Sequence, residues 1–148
     1  MLIGSFVQKM DTKGRTALPS KFRKELGTNV VLARWYEGSI AIFETRSWIK
    51  IVEQATRGLV VTSPSRDTER FLLGGAYEIA LDTQGRLVVP QPLREHAQLS
   101  VEVVFVGLAN RVELWSKDAW QEREKHIVEH AEELIEKVSN EWKNTSRY

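Results

Sequence analysis

Two arginines stand at matched places in this chain, each with an aspartate four residues before it. The segment Asp11-Thr12-Lys13-Gly14-Arg15 returns as Asp82-Thr83-Gln84-Gly85-Arg86. Beyond it Pro19 answers Pro90, Phe22 answers Leu93 and Arg23 answers Arg94, so the pattern D-T-x-G-R-x-x-x-P-x-x-Φ-R (Φ apolar) occurs twice at an offset of 71. Repetition at that density identifies two copies of one structural unit. The chemistry on offer is anion binding. A guanidinium is a planar fork that can bond two acceptors on guanine or grip a phosphate. A carboxylate aimed at the same ligand would be repelled. Asp11 and Asp82 are therefore assigned to fixing the turn and orienting Arg15 and Arg86. The plainer alternative is an ion pair that only stabilises a hairpin, which at an exposed site contributes ~0–1 kcal/mol. Its presence in both copies favours a role toward a ligand.

A second constellation is His126-Ile127-Val128-Glu129-His130, which spells the H-x-x-E-H of some zinc peptidases. A catalytic zinc wants a third protein ligand and an open position. Only 18 residues follow His130, in one charged helical segment. The pair is read as solvated helix surface, and no metal site is assigned. His96 has no nucleophile near it in sequence. There is no P-loop, G-x-S-x-G or dinucleotide fingerprint. With no cysteine, thiol catalysis, thiolate metal ligation and disulfides are excluded together. The expectation is a protein that is not an enzyme, without cofactor or small-molecule substrate.

Charge supports an anionic partner. Net charge is only +1, yet residues 1–76 hold 12 Lys/Arg against 7 Asp/Glu, and the rest hold 9 against 13. Before residue 25, Lys9, Lys13, Arg15, Lys21, Arg23 and Lys24 face only Asp11. A basic patch on a near-neutral protein is an electrostatic footprint for phosphate. The matching positions in copy two are less basic: Gln84, Pro92 and Glu95 replace Lys13, Lys21 and Lys24. Copy one is therefore expected to supply most of the phosphate affinity. Arg23 and Arg94 fall on a helix one turn behind and serve either phosphate or a structural salt bridge. The longest apolar run, 103–109, is far short of the ~20 residues of a membrane span. No basic start followed by an apolar core marks a signal peptide, so a cytoplasmic home is expected.

The elements that position these residues follow from periodicity and turn chemistry. Ser5 to Met10 reads as a short strand, Asp11 to Gly14 is a turn, and Arg15 to Leu18 resumes as a strand, which places Arg15 first after a hairpin tip. Gly14 and Gly85 supply the left-handed conformation such a turn needs. Pro19-Ser20 opens a short helix, with Ser20 its cap, Phe22 and Leu26 on one face and Gly27 ending it. Strands follow at 30–33 and 40–43, then a helix at 47–54 with Trp48 on its apolar stripe. Copy two repeats the plan at 77–81, 86–89, 90–97, 101–106 and 112–115, with Trp120 answering Trp48 as a core anchor. Trp35, beside Arg34, is assigned to burial rather than base stacking. Residues 1–60 form the first copy, 61–76 a connecting loop and helix, 77–122 the second copy, and 117–143 a long charged amphipathic helix. One copy alone is too small to bury a stable core. The fold expected is α+β: two tandem hairpin-and-helix repeats forming a two-fold pseudosymmetric, β-rich unit with its hairpin tips related by the pseudo-dyad.

The paired D-x-x-x-R motifs, the opening Met1-Leu2-Ile3-Gly4-Ser5-Phe6 and the stretch from Val106 to Trp115 together resemble the MraZ family, over essentially the whole chain and most weakly after about residue 125. That resemblance implies two fused units like those of AbrB-type swapped-hairpin transcription factors, closing into a pseudosymmetric β-barrel. It implies a bacterial, cytoplasmic, nucleoid-associated protein that binds double-stranded DNA as a homo-oligomeric ring. The expected target is a set of short repeats in the promoter of its own division and cell-wall operon, where it acts as a repressor. DNA-contacting residues are then expected at Arg15, Lys13, Arg86, Lys9, Arg23 and Lys21. The competing reading on the same fold is a protein-interaction module, favoured by the acidic second copy and the charged tail.

Overall fold

The computed structural model describes residues 1–56 and 62–146. The chain forms two compact units, Met1–Lys117 and Asp118–Tyr148. The first holds both copies of the repeat. It runs β1 (Leu2–Lys9), β2 (Arg15–Ala17), α1 (Ser20–Leu26), β3 (Asn29–Arg34), β4 (Ile40–Glu44), α2 (Thr45–Thr56) and α3 (Ser63–Gly74). Copy two follows as β5 (Tyr77–Ala80), β6 (Arg86–Val88), α4 (Gln91–His96), β7 (Glu102–Ala109) and β8 (Val112–Ser116).

Six strands make one antiparallel sheet in the order β1-β7-β8-β4-β3-β5, and β2 pairs with β6 as a separate two-stranded ribbon. Exchanging the copies maps the six-stranded order onto its own reverse, so the pseudo-dyad passes between β8 and β4 and again through the ribbon. The copies are interleaved. The first strand of each lies against a later strand of the other: Leu2 to Lys9 pairs with Ala109 to Glu102, and Asn29 to Leu32 pairs with Ala80 to Tyr77. This differs from a hairpin closed within each copy, since only a single bridge, Met10 with Thr16, links the ribbon strand β2 back to the chain preceding it. Nor does the sheet close into the expected barrel, because β1 and β5 remain its edges. The three-residue strands β2 and β6 satisfy each other and are too short to run along both edges as well.

The core explains why neither copy is a separate body. One cluster lies inside the sheet and joins Phe22, Leu26, Val30, Leu32, Ile40 and Ile42 of copy one to Leu87, Leu93, Val103, Phe105, Val112 and Leu114 of copy two. Each such side chain contributes about 1.5–3 kcal/mol when fully buried, and the two copies share the one cluster. The alternate residues Val31, Ala33, Ala41 and Phe43 face the opposite side, where Trp48 and Leu72 cover them with Trp35 and Phe71 packed alongside. Period-two alternation in β3 and β4 thus feeds two clusters.

Two local expectations need correction. Helix α1 is capped at Pro19 without a side-chain bond, and Ser20 is its first helical residue. The fixed φ of Pro19 sets the entry to the helix in place of a hydroxyl cap. The tail is two helices rather than one, α5 (Lys117–Glu129) and α6 (Ala131–Thr145), parted at His130, whose φ of −116° and ψ of 16° leave the helical range. His130 turns its ring back, so that Nδ1 meets the carbonyl of His126 at 2.9 Å. Trp120 of the tail unit is half-buried.

Candidate nucleic-acid interface

Each turn is built around one carboxylate. Oδ1 of Asp11 accepts from the backbone N–H of Lys13 and of Arg15, both at 2.9 Å, and Oδ2 accepts from Arg15 Nε at 2.6 Å. The backbone adds Gly14 N–H to the Asp11 carbonyl at 3.0 Å and Asp11 N–H to the Arg15 carbonyl at 3.0 Å. Copy two reproduces this: Asp82 Oδ1 accepts from Gln84 and Arg86 N–H at 2.9 Å, and Oδ2 from Arg86 Nε at 2.8 Å. Gly14 at φ 82° and Gly85 at φ 75° occupy the left-handed region that closes each reversal. The backbone N–H of the arginine, then its side chain, hold Asp11 and Asp82 below the ordinary carboxylate range. Both carboxylates are therefore charged at neutral pH and bound to the turn. The bond to aspartate engages Nε, which leaves the two Nη groups of each guanidinium outside it.

The ribbon brings the two turns together. Arg15 stands opposite Val88, Thr16 opposite Leu87, and Ala17 opposite Arg86. Directly opposed residues share a face of an antiparallel pair. One face is therefore Thr16 and Leu87, 1% and 0% exposed, packed inward. The other is Arg15, Ala17, Arg86 and Val88. The arginine side chains are 38% and 36% exposed, and Val88 is 48% exposed. Two residues along a strand and one strand across put the arginine Cα atoms roughly 8 Å apart. A two-stranded ribbon of this kind fits a major groove about 12 Å wide.

The other expected residues divide. Lys13 and Lys21 are exposed, the first on the turn and the second on α1. Lys9 is exposed but stands opposite Glu102 in register. The Glu102 carboxylate is paired with Lys117 Nζ at 2.6 Å and held below its ordinary range, first by that bond and in smaller part by the charge of Lys9. Arg23 is half-buried, its Nη1 directed at the Gln84 carbonyl of the opposite turn at 3.4 Å. His96 is a structural residue: Nε2 sits between the carbonyls of Trp35 and Ser39, at 3.1 and 3.0 Å. Among the described residues no group of three His, Cys, Asp or Glu is placed to hold a metal ion, and no helix is long and apolar enough to cross a membrane.

The sequence model of one family, described as "MraZ protein, putative antitoxin-like", matches this chain twice in succession, over residues 1–71 and 72–144. The chain belongs to the MraZ family. It is 37% identical over 140 residues to the transcriptional regulator MraZ of Caldanaerobacter subterraneus subsp. tengcongensis, covering 95% of this chain and 98% of the relative. It is 40% identical to that of Natranaerobius thermophilus, over 92% of this chain and 98% of the relative. To that of Clostridium acetobutylicum it is 38% identical, over 94% and 97%. Each MraZ unit of the family match carries one aspartate-bound turn. What sequence reasoning missed is the traffic between them. The thirteenth motif residue of one copy seats against the fourth of the other, a link invisible along the chain because its partners are 61 or more residues apart. The signal that could have found it is the conjunction of an invariant spacing with a glycine at motif position four.

Proposed function

We propose that this chain is a sequence-specific DNA-binding transcriptional regulator, and that the outer face of the β2/β6 ribbon enters the groove. One observation carries this reading: two arginines from two turns emerge on one face of one ribbon, each aimed by its own aspartate. β-Ribbon readers use strands in a groove in this way. The family relatives, named as transcriptional regulators, support the same function. Arg15 and Arg86 are the base- or phosphate-gripping residues. Lys13 and Lys21 add phosphate contacts on the copy-one side, and Lys9 adds a smaller one because Glu102 offsets it. Copy one binds more strongly, while copy two completes the reading surface.

One protomer presents few cations, so a single ribbon binds weakly. A homo-oligomeric ring would set identical ribbons side by side and multiply affinity wherever DNA repeats match their spacing. The tail supports assembly of that kind, since Ile135, Val138 and Trp142 of α6 are 67%, 52% and 73% exposed on one helical stripe. The finer proposal is repression at repeats upstream of the chain's own division and cell-wall genes, in a cytoplasmic, nucleoid-associated protein. The test is a salt titration of binding to that upstream DNA and to an unrelated duplex. Specific binding should exceed nonspecific binding and weaken with a log–log slope of about −0.9 per phosphate neutralised. A flat profile with no preference between the duplexes would remove the proposal.

A further inference from the structure

We propose that Arg23 and Arg94 are positioning residues, each locking the reading turn of the opposite copy, and that they act on DNA through Arg86 and Arg15 rather than by touching it. This inference rests on the DNA-binding reading of the turns. The geometry is reciprocal. A Cβ built on Gly85 would lie 1.6 Å from Arg23 Nη1 and 2.5 Å from its Cζ, so the copy-one guanidinium fills the space that a side chain would take in the copy-two turn. A Cβ built on Gly14 would lie 2.9 Å from Arg94 Nε and 3.1 Å from its Cζ, so the copy-two guanidinium does the same in copy one. The Nε atoms of both arginines are fully buried.

The backbone fastens the same exchange. Leu18 N–H donates to the Gly85 carbonyl at 3.2 Å, and Val89 N–H donates to the Gly14 carbonyl at 2.8 Å. Arg23 also directs Nη1 at the Gln84 carbonyl. Each arginine rides on the short helix α1 or α4, whose apolar residues Phe22 and Leu93 are wholly buried. The helix therefore serves as a rigid mount, and the arginine transmits its position to the far turn. Both arginines are half-buried, and with Nε buried against the far turn each has part of its donor set committed there rather than to a phosphate. The motif spacing gains a reason: D-T-x-G-R builds a turn with a vacancy at glycine, and the arginine eight residues after R fills the vacancy of the twin.

The experiment has two readouts. Without DNA, amide hydrogen exchange is measured on the full chain and on Arg94→Gln and Arg23→Gln. Arg94→Gln should speed exchange at Gly14 and Arg15 and spare Gly85 and Arg86, and Arg23→Gln should do the reverse. Loosening of the same-copy turn, or of neither, overturns the lock. With DNA from the chain's own upstream region, Arg94→Gln should weaken binding severalfold while leaving the salt slope unchanged, and should add little to Arg15→Ala. A slope shallower by about 0.9, as for one lost phosphate contact, overturns the proposal, as does a loss that multiplies fully with that of Arg15→Ala. Arg94→Lys, a milder change, is carried through both readouts in case Arg94→Gln fails to fold. If Arg15→Ala binds DNA like the unmodified chain, the functional reading has failed, and the exchange data still decide the lock.

Discussion

Replacing the two turn glycines with alanine should cost stability in a fixed order, Gly14 above Gly85. Both sit at positive φ, 82° and 75°, where an L-residue costs about 1–2 kcal/mol. At Gly85 the new methyl group collides with the side chain of Arg23. That side chain can swing out, giving up a long hydrogen bond of 3.4 Å and adding about 0.5–1 kcal/mol. At Gly14 the methyl also meets the carbonyl oxygen of Val89 at 2.8 Å. Backbone cannot swing away. Relief means shifting the segment whose Val89 N–H bonds Gly14, and a lost bond there adds roughly another 1 kcal/mol. The totals are about 2 kcal/mol for Gly85→Ala and about 3 kcal/mol for Gly14→Ala. Equilibrium urea denaturation of both variants reads the difference as a shift in midpoint at constant slope. Pairing Gly85→Ala with Arg23→Ala should recover the collision part of its cost. Equal midpoints, the reverse order, or a neutral Gly14→Ala would refute the reciprocal packing.

Three further outcomes follow from the geometry. Asp11→Asn keeps an oxygen for the Lys13 and Arg15 N–H groups but replaces the acceptor of Arg15 Nε with an amide; DNA affinity should fall about 5–10-fold, the size of one hydrogen bond, with the far-UV circular dichroism unchanged. Asp11 and Asp82 are held below the ordinary value of 3.8, so the folded state binds fewer protons than the unfolded state near that value; the turns' contribution is full above it and is lost as pH falls through the lowered folded values, which carboxyl NMR titration should show with no change between pH 5 and 8. The carboxylate of Glu113, 7% exposed, accepts from Trp115 Nε1 at 3.1 Å and Arg111 Nε at 3.0 Å; Glu113→Ala removes the acceptor of both bonds and should lower urea stability by about 2–3 kcal/mol.

The repeat was legible because turn chemistry is local. Aspartate, glycine and arginine within five residues specify a reversal whose aspartate bonds are all made inside it. Most strands and helices were legible for the same reason, from the apolar run at 30–33 and the Phe22/Leu26 spacing. What escaped was set by contacts across the chain. Nothing near Leu2 shows that it lies opposite Ala109, and nothing near Arg15 shows that its strand pairs with Arg86 to Val88. The open sheet and the arginine seats follow from that exchange. The break at His130 escaped for a different reason: the flanking residues are good helix formers, and the parting depends on one backbone angle pair rather than on any glycine or proline.

Joint reading of DNA by two arginines on one ribbon face is the step on which the proposed function rests. It is tested most directly by measuring binding of Arg15→Ala, Arg86→Ala and the double variant to the upstream DNA at one salt concentration, alongside the unmodified chain. Both single variants should bind at least severalfold more weakly, Arg15→Ala the more so, and the double variant should bind no better than nonspecifically. Binding by Arg86→Ala equal to that of the unmodified chain would contradict the shared face, and undiminished binding by Arg15→Ala would contradict the site itself.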